Sequence, residues 1–254
     1  MTKPVRLTLA ALLLFAGIHA AIPAMADGAP LSACDGRHAP SLRGLIAGTV
    51  AGFGQLPSRT NAAWLIGGGV AAAATHPADD DVSRRLVASD PANDLLGPGA
   101  LIGSGAVQLG AGAAAYSIGR LADSPCAAAI GGDLLRAQLI AEALTFAMQY
   151  SIRRTRPDHG SGFSFPSGHA SVTFATATVL QRFGWRVGVP AYALASYVAV
   201  SRIQAERHYL SDVVFGSALG IVAGRSGLGN KTHRFALVPS ITRRGSGVLV
   251  VRQH

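Results

Sequence analysis

The chain has 254 residues, 49% hydrophobic and 14% charged, with a formal net charge of +9 at pH 7. Ordinary soluble domains are about 25% charged, so the composition points to one heavily buried helical domain or to contact with a membrane. The positive excess favours anionic partners, although scattered charge without a steering role stands beside that reading. Aromatics make up only 6% and no nucleic-acid motif accompanies the charge, which excludes a base-stacking nucleic-acid binder.

Residues 1–26 read as a secretory signal peptide. Lys3 and Arg6 precede an apolar run, Leu7 to Ile22, and Ala24-Met25-Ala26 is a small-x-small cleavage site before Asp27. The mature protein is therefore expected in the periplasm, with an integral inner-membrane enzyme as the alternative. Residues 27–40 form an irregular leader. It contains Cys34, whose partner in an exported protein would be Cys126.

A helical domain is expected over 41–228. Segments 41–55 and 60–75 are short, apolar and glycine-containing. His76 to Asp81 reads as a solvated acidic loop without the spacing of a calcium site. Asp94 to Gly119 has no charge after Asp94; it would span a bilayer or form a buried helix pair. Residues 131–155 form a clearer amphipathic helix, with Leu134, Leu135, Leu139, Ala143, Phe146 and Tyr150 at helical spacing and Pro157 as its terminator. Arg136 and Glu142 within it are costly in lipid. After a Gly/Ser/Phe loop at 158–165, helices are expected from Ser167 to about Phe183, over 188–204, and from Tyr209 to about Gly224. Two glycine ladders, Gly44-Gly48-Gly52 and Gly216-Gly220-Gly224, mark close helix contacts. Residues 229–254 read as a C-terminal β-hairpin tail. The fold class is all-α, a multi-helix bundle with a small β-hairpin.

Three motifs carry chemistry. In Pro166-Ser167-Gly168-His169, Ser167 caps a helix and Gly168 lets an anion approach amides that lie in a partial positive field. In the second, Ser201-Arg202 closes one helix, His208, six residues on, opens the next, and Asp212 follows four later, one turn along the same face. A carboxylate so placed would orient the imidazole as a nucleophile or base. In Arg156-Pro157, a guanidinium at a helix end offers a fork for phosphate oxygens.

These motifs in this order resemble the type 2 phosphatidic acid phosphatase superfamily, which includes bacterial acid phosphatases, lipid phosphatases and vanadium haloperoxidases. Its pattern is Lys-x6-Arg-Pro, Pro-Ser-Gly-His and Ser-Arg-x5-His-x3-Asp, and it covers roughly residues 130–225. The resemblance implies a phosphatidic acid phosphatase/haloperoxidase-type bundle and a phosphohistidine mechanism on phosphate monoesters or lipid (di)phosphates. By it, His208 attacks phosphorus, Asp212 orients His208, and His169 protonates the leaving oxygen. Arg156, Arg202, Ser167 and the Gly168 amide bind phosphate, and no metal or other cofactor is required. The expected partner is a phosphate ester, including lipids, with peripheral membrane contact.

One position departs from the pattern. Gln149 stands where the family has lysine. Residues 149, 153 and 156 would share one helical face, so Arg153 is expected to point into the pocket in the lysine's place and Arg154 away from it. Two alternatives remain at this level: a vanadium-dependent haloperoxidase, and a phosphate- or lipid-binding homologue impaired by Gln149.

Overall fold

Serines start most of the helices in the computed structural model, which describes residues 38–87, 95–160 and 162–228 and the backbone of 235–242 and 245–252. The hydroxyls of Ser41, Ser58, Ser104, Ser124 and Ser167 each accept an amide three residues on, satisfying a donor that a helix start leaves orphaned. The elements are α1 (Leu42–Gly54), α2 (Arg59–Thr75), α3 (Asp79–Val87), α4 (Gly99–Ile102), α5 (Gly105–Leu121), α6 (Pro125–Ile152), α7 (Gly168–Leu180), α8 (Trp185–Gln204) and α9 (Leu210–Gly227). Strands β1 (Phe235–Thr242) and β2 (Gly245–Arg252) pair antiparallel, with Thr242 opposite Gly245. The expected signal peptide lies outside the described residues, as do Cys34 and most of the leader. Cys126 is disulfide-bonded.

Helix α9 is the axis of the bundle, buried along nearly its whole length and packed against α2, α6 and α7. Its Gly216-Gly220-Gly224 ladder makes this contact. A Cβ at these positions would stand 2.6, 2.2 and 2.9 Å from the carbonyl oxygens of Ser167, Ser171 and Ala175, so the two backbones touch. The register rises in step along both chains, so α7 and α9 run parallel. Both helix N-termini therefore lie at the same end of the bundle, where Ser167 N donates to the Asp212 carbonyl at 3.1 Å.

The uncharged stretch after Asp94, described from residue 95, is not one span: Gly103 and Ser104 separate α4 from α5. No described helix is long and apolar enough to cross a membrane. Helix α6 corrects the expected apolar stripe. Leu134 is buried, but Leu139, Phe146 and Tyr150 face outward at 45–60% exposure. Its buried side is made of Ala128, Gly131, Ala137, Ile140 and Ala141, with Gln138, Thr145 and Gln149 among them. Small residues won these positions because four helices press on α6, and close backbone approach excludes large side chains.

The acidic stretch after His76 is also corrected. It is a 3-10 turn, His76–Ala78, running into α3, and Asp79 is 3% exposed rather than solvated. Carboxylates at a helix N-terminus suit its dipole, and Asp79 has partners across the bundle.

Candidate active site

At the end of the bundle that holds the α7 and α9 N-termini, Arg156, Gly168, His169, Arg202 and His208 line one cleft of about 340 Å³, together with Gly105, Glu142, Thr145, Phe146, Gln149 and Arg207. The motif residues that are far apart in sequence thus converge, and each arrives by a local structural reason.

His208 is 3% exposed and sits just before α9, whose N-cap is Tyr209. His208 and Asp212 therefore do not share a helix face, and the expected contact between them is replaced. His208 Nδ1 donates to the Ser164 carbonyl oxygen at 2.6 Å. A carbonyl can only accept, so the neutral ring carries its proton on Nδ1 and keeps a lone pair on Nε2. Asp212 acts one step further back. As the third residue of α9 it reaches back to the Tyr209 amide at 2.8 Å, and its Oδ2 accepts from Ser164 Oγ at 2.5 Å. Asp212 thus holds the serine whose carbonyl holds the imidazole.

Arg153 does not line the cleft. Helix α6 ends at Ile152, and Arg153 is its C-cap in the left-handed region, φ 52°, with Nε donating to the Tyr150 carbonyl at 3.2 Å. The helical phase that would have turned it inward stops one residue too early. Arg154 turns inward instead. Its Nη1 donates to Asp212 Oδ1 at 2.6 Å and to Ser211 Oγ at 2.7 Å, and its Nη2 donates to Asp79 Oδ2 at 2.8 Å. Its guanidinium also lies 4.2 Å from the Tyr209 ring centroid. The Arg154 carbonyl accepts the Ser164 amide at 2.9 Å. Asp79 completes the network by accepting Ser211 N and Oγ at 2.8 and 2.6 Å. Burial alone would raise the Asp79 carboxyl, but hydrogen bonds from Ser211, Arg154 and His76 hold it below the usual carboxylate range. Neither Arg154 nor Asp79 stood out in the sequence, because each acts through tertiary partners.

Arg156 lies beyond the end of α6, not within it, and Arg202 sits in the last turn of α8. The buried Nε of each has no hydrogen-bond partner. Burial and the neighbouring charges of Arg207 and Arg156 lower the Arg202 guanidinium. Its Nη1 stands 3.5 Å from His169 Nε2. Arg207, missed in sequence although it directly precedes His208, adds a third cation at the mouth, paired with Asp158 at 3.1 Å.

His169 occupies the first turn of α7. Burial, then Arg202, lower its imidazole to about 4, against a hydrogen bond to the Ala100 backbone. Burial likewise lowers His208 to about 3, with Arg156, His169 and Arg202 adding to the effect. Both rings are neutral near pH 7, so the positive charge of the cleft comes from Arg156, Arg202 and Arg207. Ser167 lies behind the cleft wall, fully buried as the α7 cap, so Gly168 meets the cavity in its place. Gln149 lines the cleft, and its amide nitrogen donates to the Pro166 carbonyl at 2.9 Å, bracing the turn before α7. Phe163 and Phe165 are loop anchors, packed on Tyr150 and Phe215 with ring centroids 5.1 and 5.0 Å apart. Among the described residues, no group of three His, Cys, Asp or Glu stands where it would hold a metal ion.

Comparison with known proteins agrees with this geometry. Residues 131–228, which span α7 to α9 and most of α6, match the PAP2 superfamily. A lipid A 1-phosphatase of Porphyromonas gingivalis is 39% identical over 101 residues, 35% of this chain and 23% of that protein. A decaprenylphosphoryl-5-phosphoribose phosphatase of Mycobacterium tuberculosis is 38% identical over 95 residues, 34% of this chain and 52% of that protein. The matches thus span about half or less of these relatives. The crystal structure of a transmembrane PAP2-type phosphatidylglycerolphosphate phosphatase from Bacillus subtilis shares the fold, with a TM-score of 0.56 at 21% identity over 66% of this chain and 93% of that one. Fold, motif order and sequence match agree: residues 131–228, which hold all three motifs, match the PAP2 superfamily.

Proposed function

We propose that this protein is a phosphatase that hydrolyses lipid phosphates through a phosphohistidine. One observation carries the reading: His208, with its Nδ1 proton engaged and Nε2 free, shares a cleft with the guanidiniums of Arg156 and Arg202, a second imidazole and the N-terminus of α7. Arg156, Arg202 and the Gly168 amide bind the phosphate oxygens and stabilise charge as it redistributes. His208 Nε2 attacks phosphorus, and the P–N bond forms as the bond to the leaving oxygen breaks. His169 gives that oxygen its proton. Burial and the charges of Arg202 and Arg156 lower the His169 imidazole, and it gains this proton as the phosphate offsets those two charges. In the second half it takes a proton from water as the water oxygen displaces His208 from phosphorus. The mechanism draws its positive charge from guanidiniums and a helix end, without requiring a metal.

The relatives support a lipid substrate, since two act by name on lipid A and on a decaprenyl-linked phosphoribose. Helix α1 supports peripheral membrane contact. Leu42, Ile46, Val50 and Phe53 form one exposed apolar row along it. With the signal-peptide pattern of residues 1–26, the proposed location is the periplasm, at the membrane face.

The test is phosphate release from p-nitrophenyl phosphate, phosphatidic acid and a polyprenyl diphosphate. Wild-type protein is expected to turn over at least one of them, with an acid-labile phosphoenzyme, and His208→Ala to lose at least about a thousandfold in kcat. Equal rates in the two proteins would overturn the mechanism. Binding of phosphate without turnover would identify an impaired homologue. Halide oxidation by peroxide after loading with vanadate would identify a haloperoxidase.

A further inference from the structure

The phosphate-binding reading leaves one side of the cleft unexplained. Glu142 lines it on α6, one turn before Thr145 and two before Gln149, all on one helical face. Although three arginines share the cleft, Glu142 has no hydrogen bond or ion pair among the described residues, and burial is the sole influence that raises its carboxyl. Thr145 is 1% exposed, lines the same wall, and its Oγ1 has no hydrogen-bond partner. Glu142 is half-buried, and the fully buried Thr145 hydroxyl costs stability unless something meets it.

Their position relative to His169 indicates what that is. The turn joining α4 to α5 touches both. His169 is hydrogen-bonded to the Ala100 backbone, a Cβ at Gly103 would lie 3.2 Å from the His169 ring, and a Cβ at Gly105 would lie 2.1 Å from Glu142 Oε1. Glu142 therefore stands on the side of the cleft where His169 delivers a proton to the departing oxygen.

We infer that Glu142 and Thr145 form the leaving-group subsite, and that the substrate is a phosphate monoester whose leaving group carries hydroxyls, such as a polyol or sugar headgroup. The carboxylate accepts hydrogen bonds from those hydroxyls, and Thr145 adds a donor. A leaving group that is itself a phosphate meets like charge and is rejected. Phe146, which lines the cleft at 53% exposure, offers apolar surface to the chain beyond the headgroup. The inference rests on the hydrolase reading and narrows it from lipid phosphates and diphosphates to hydroxylated monophosphates.

The experiment compares kcat/KM in two matched pairs of substrates. One pair is lysophosphatidic acid and its 2-deoxy analogue, an acyl propanediol phosphate; the other is farnesyl monophosphate and farnesyl diphosphate. Wild type is expected to favour the hydroxylated ester by about tenfold or more, the range of a hydrogen bond to a charged group, and to favour the monophosphate. Glu142→Ala and Thr145→Val should each reduce the hydroxyl preference, and Glu142→Gln should raise the diphosphate relative to the monophosphate. Retained binding of inorganic phosphate by each variant verifies its fold. Ratios unchanged across all three variants would overturn the subsite while leaving the hydrolase intact. Absence of turnover of every ester by wild type, matching His208→Ala, would instead remove the hydrolase reading and the subsite with it.

Discussion

His208 and Ser164 meet through a single hydrogen bond, Nδ1 to carbonyl oxygen at 2.6 Å, and the serine's own side chain is held by Asp212 at 2.5 Å. The carboxylate of the motif therefore governs the imidazole indirectly, through the backbone it positions. Ser164→Ala keeps the carbonyl but releases it from Asp212. The expected outcome is a fall in kcat of about 10–100-fold, or roughly 1.4–2.7 kcal/mol on the barrier, with little change in KM. Steady-state kinetics on p-nitrophenyl phosphate measures this. An Asp212→Asn variant that loses activity while Ser164→Ala keeps it would show the carboxylate acting by another route.

Arg154 and Arg153 should behave oppositely to what helical phase suggests. Removing Arg154 leaves Asp79 and Asp212, 3% and 0% exposed, without their shared cation. Arg154→Ala should cost about 3–5 kcal/mol of stability, as for breaking a buried pair, and should lower kcat as well. Arg153→Ala should fall within about 0.5 kcal/mol of wild type, as an exposed surface change. Denaturant midpoints and kcat for the two variants check this; equal effects would contradict the network.

Acid should destabilise the protein, and the imidazoles give the sign. Unfolded histidine titrates near 6.5, whereas His169 and His208 are lowered to about 4 and about 3 in the fold. Between these values the unfolded chain binds protons that the native state does not, so stability falls as pH drops below about 6.5. The slope is at most about 1.4 kcal/mol per pH unit per imidazole. Urea midpoints from pH 7.5 to 4.5 should fall, and less steeply in His208→Gln. Binding of inorganic phosphate at pH 7 should take up a proton onto His169, seen calorimetrically in buffers of different ionisation enthalpy. A midpoint that rises on acidification would contradict the assignment.

Two glycines separate packing from propensity. At Gly220 a Cβ would stand 2.2 Å from the Ser171 carbonyl, whereas nothing lies within 4 Å of one at Gly67, inside α2. Gly220→Ala should destabilise by about 1–3 kcal/mol through overpacking, and by more if the two helices cannot separate. Gly67→Ala should stabilise by about 0.5–1 kcal/mol through helix propensity. Thermal midpoints of the pair decide whether the ladder is a contact surface.

Much of the site was legible in the chain because its chemistry depends on local features. Ser167 caps α7, Gly168 bares its amides, and Arg156, Arg202, His169 and His208 are reactive types at family spacing. The helices and the α9 glycine ladder were readable for the same reason: caps and four-residue spacing act within one or two turns. Tertiary packing decided what such short-range rules cannot reach. It ended α6 at Ile152 and so turned Arg153 outward and Arg154 inward. It drew Asp79 from an apparently solvated acidic run into a buried ion pair 75 residues distant in sequence, and placed Ser164 between His208 and Asp212. It also brought Glu142 and His169 into one cleft, each against the turn between α4 and α5. Residue type and spacing determine which groups are available for chemistry; long-range contacts, which neither periodicity nor propensity encodes, determine which of them meet.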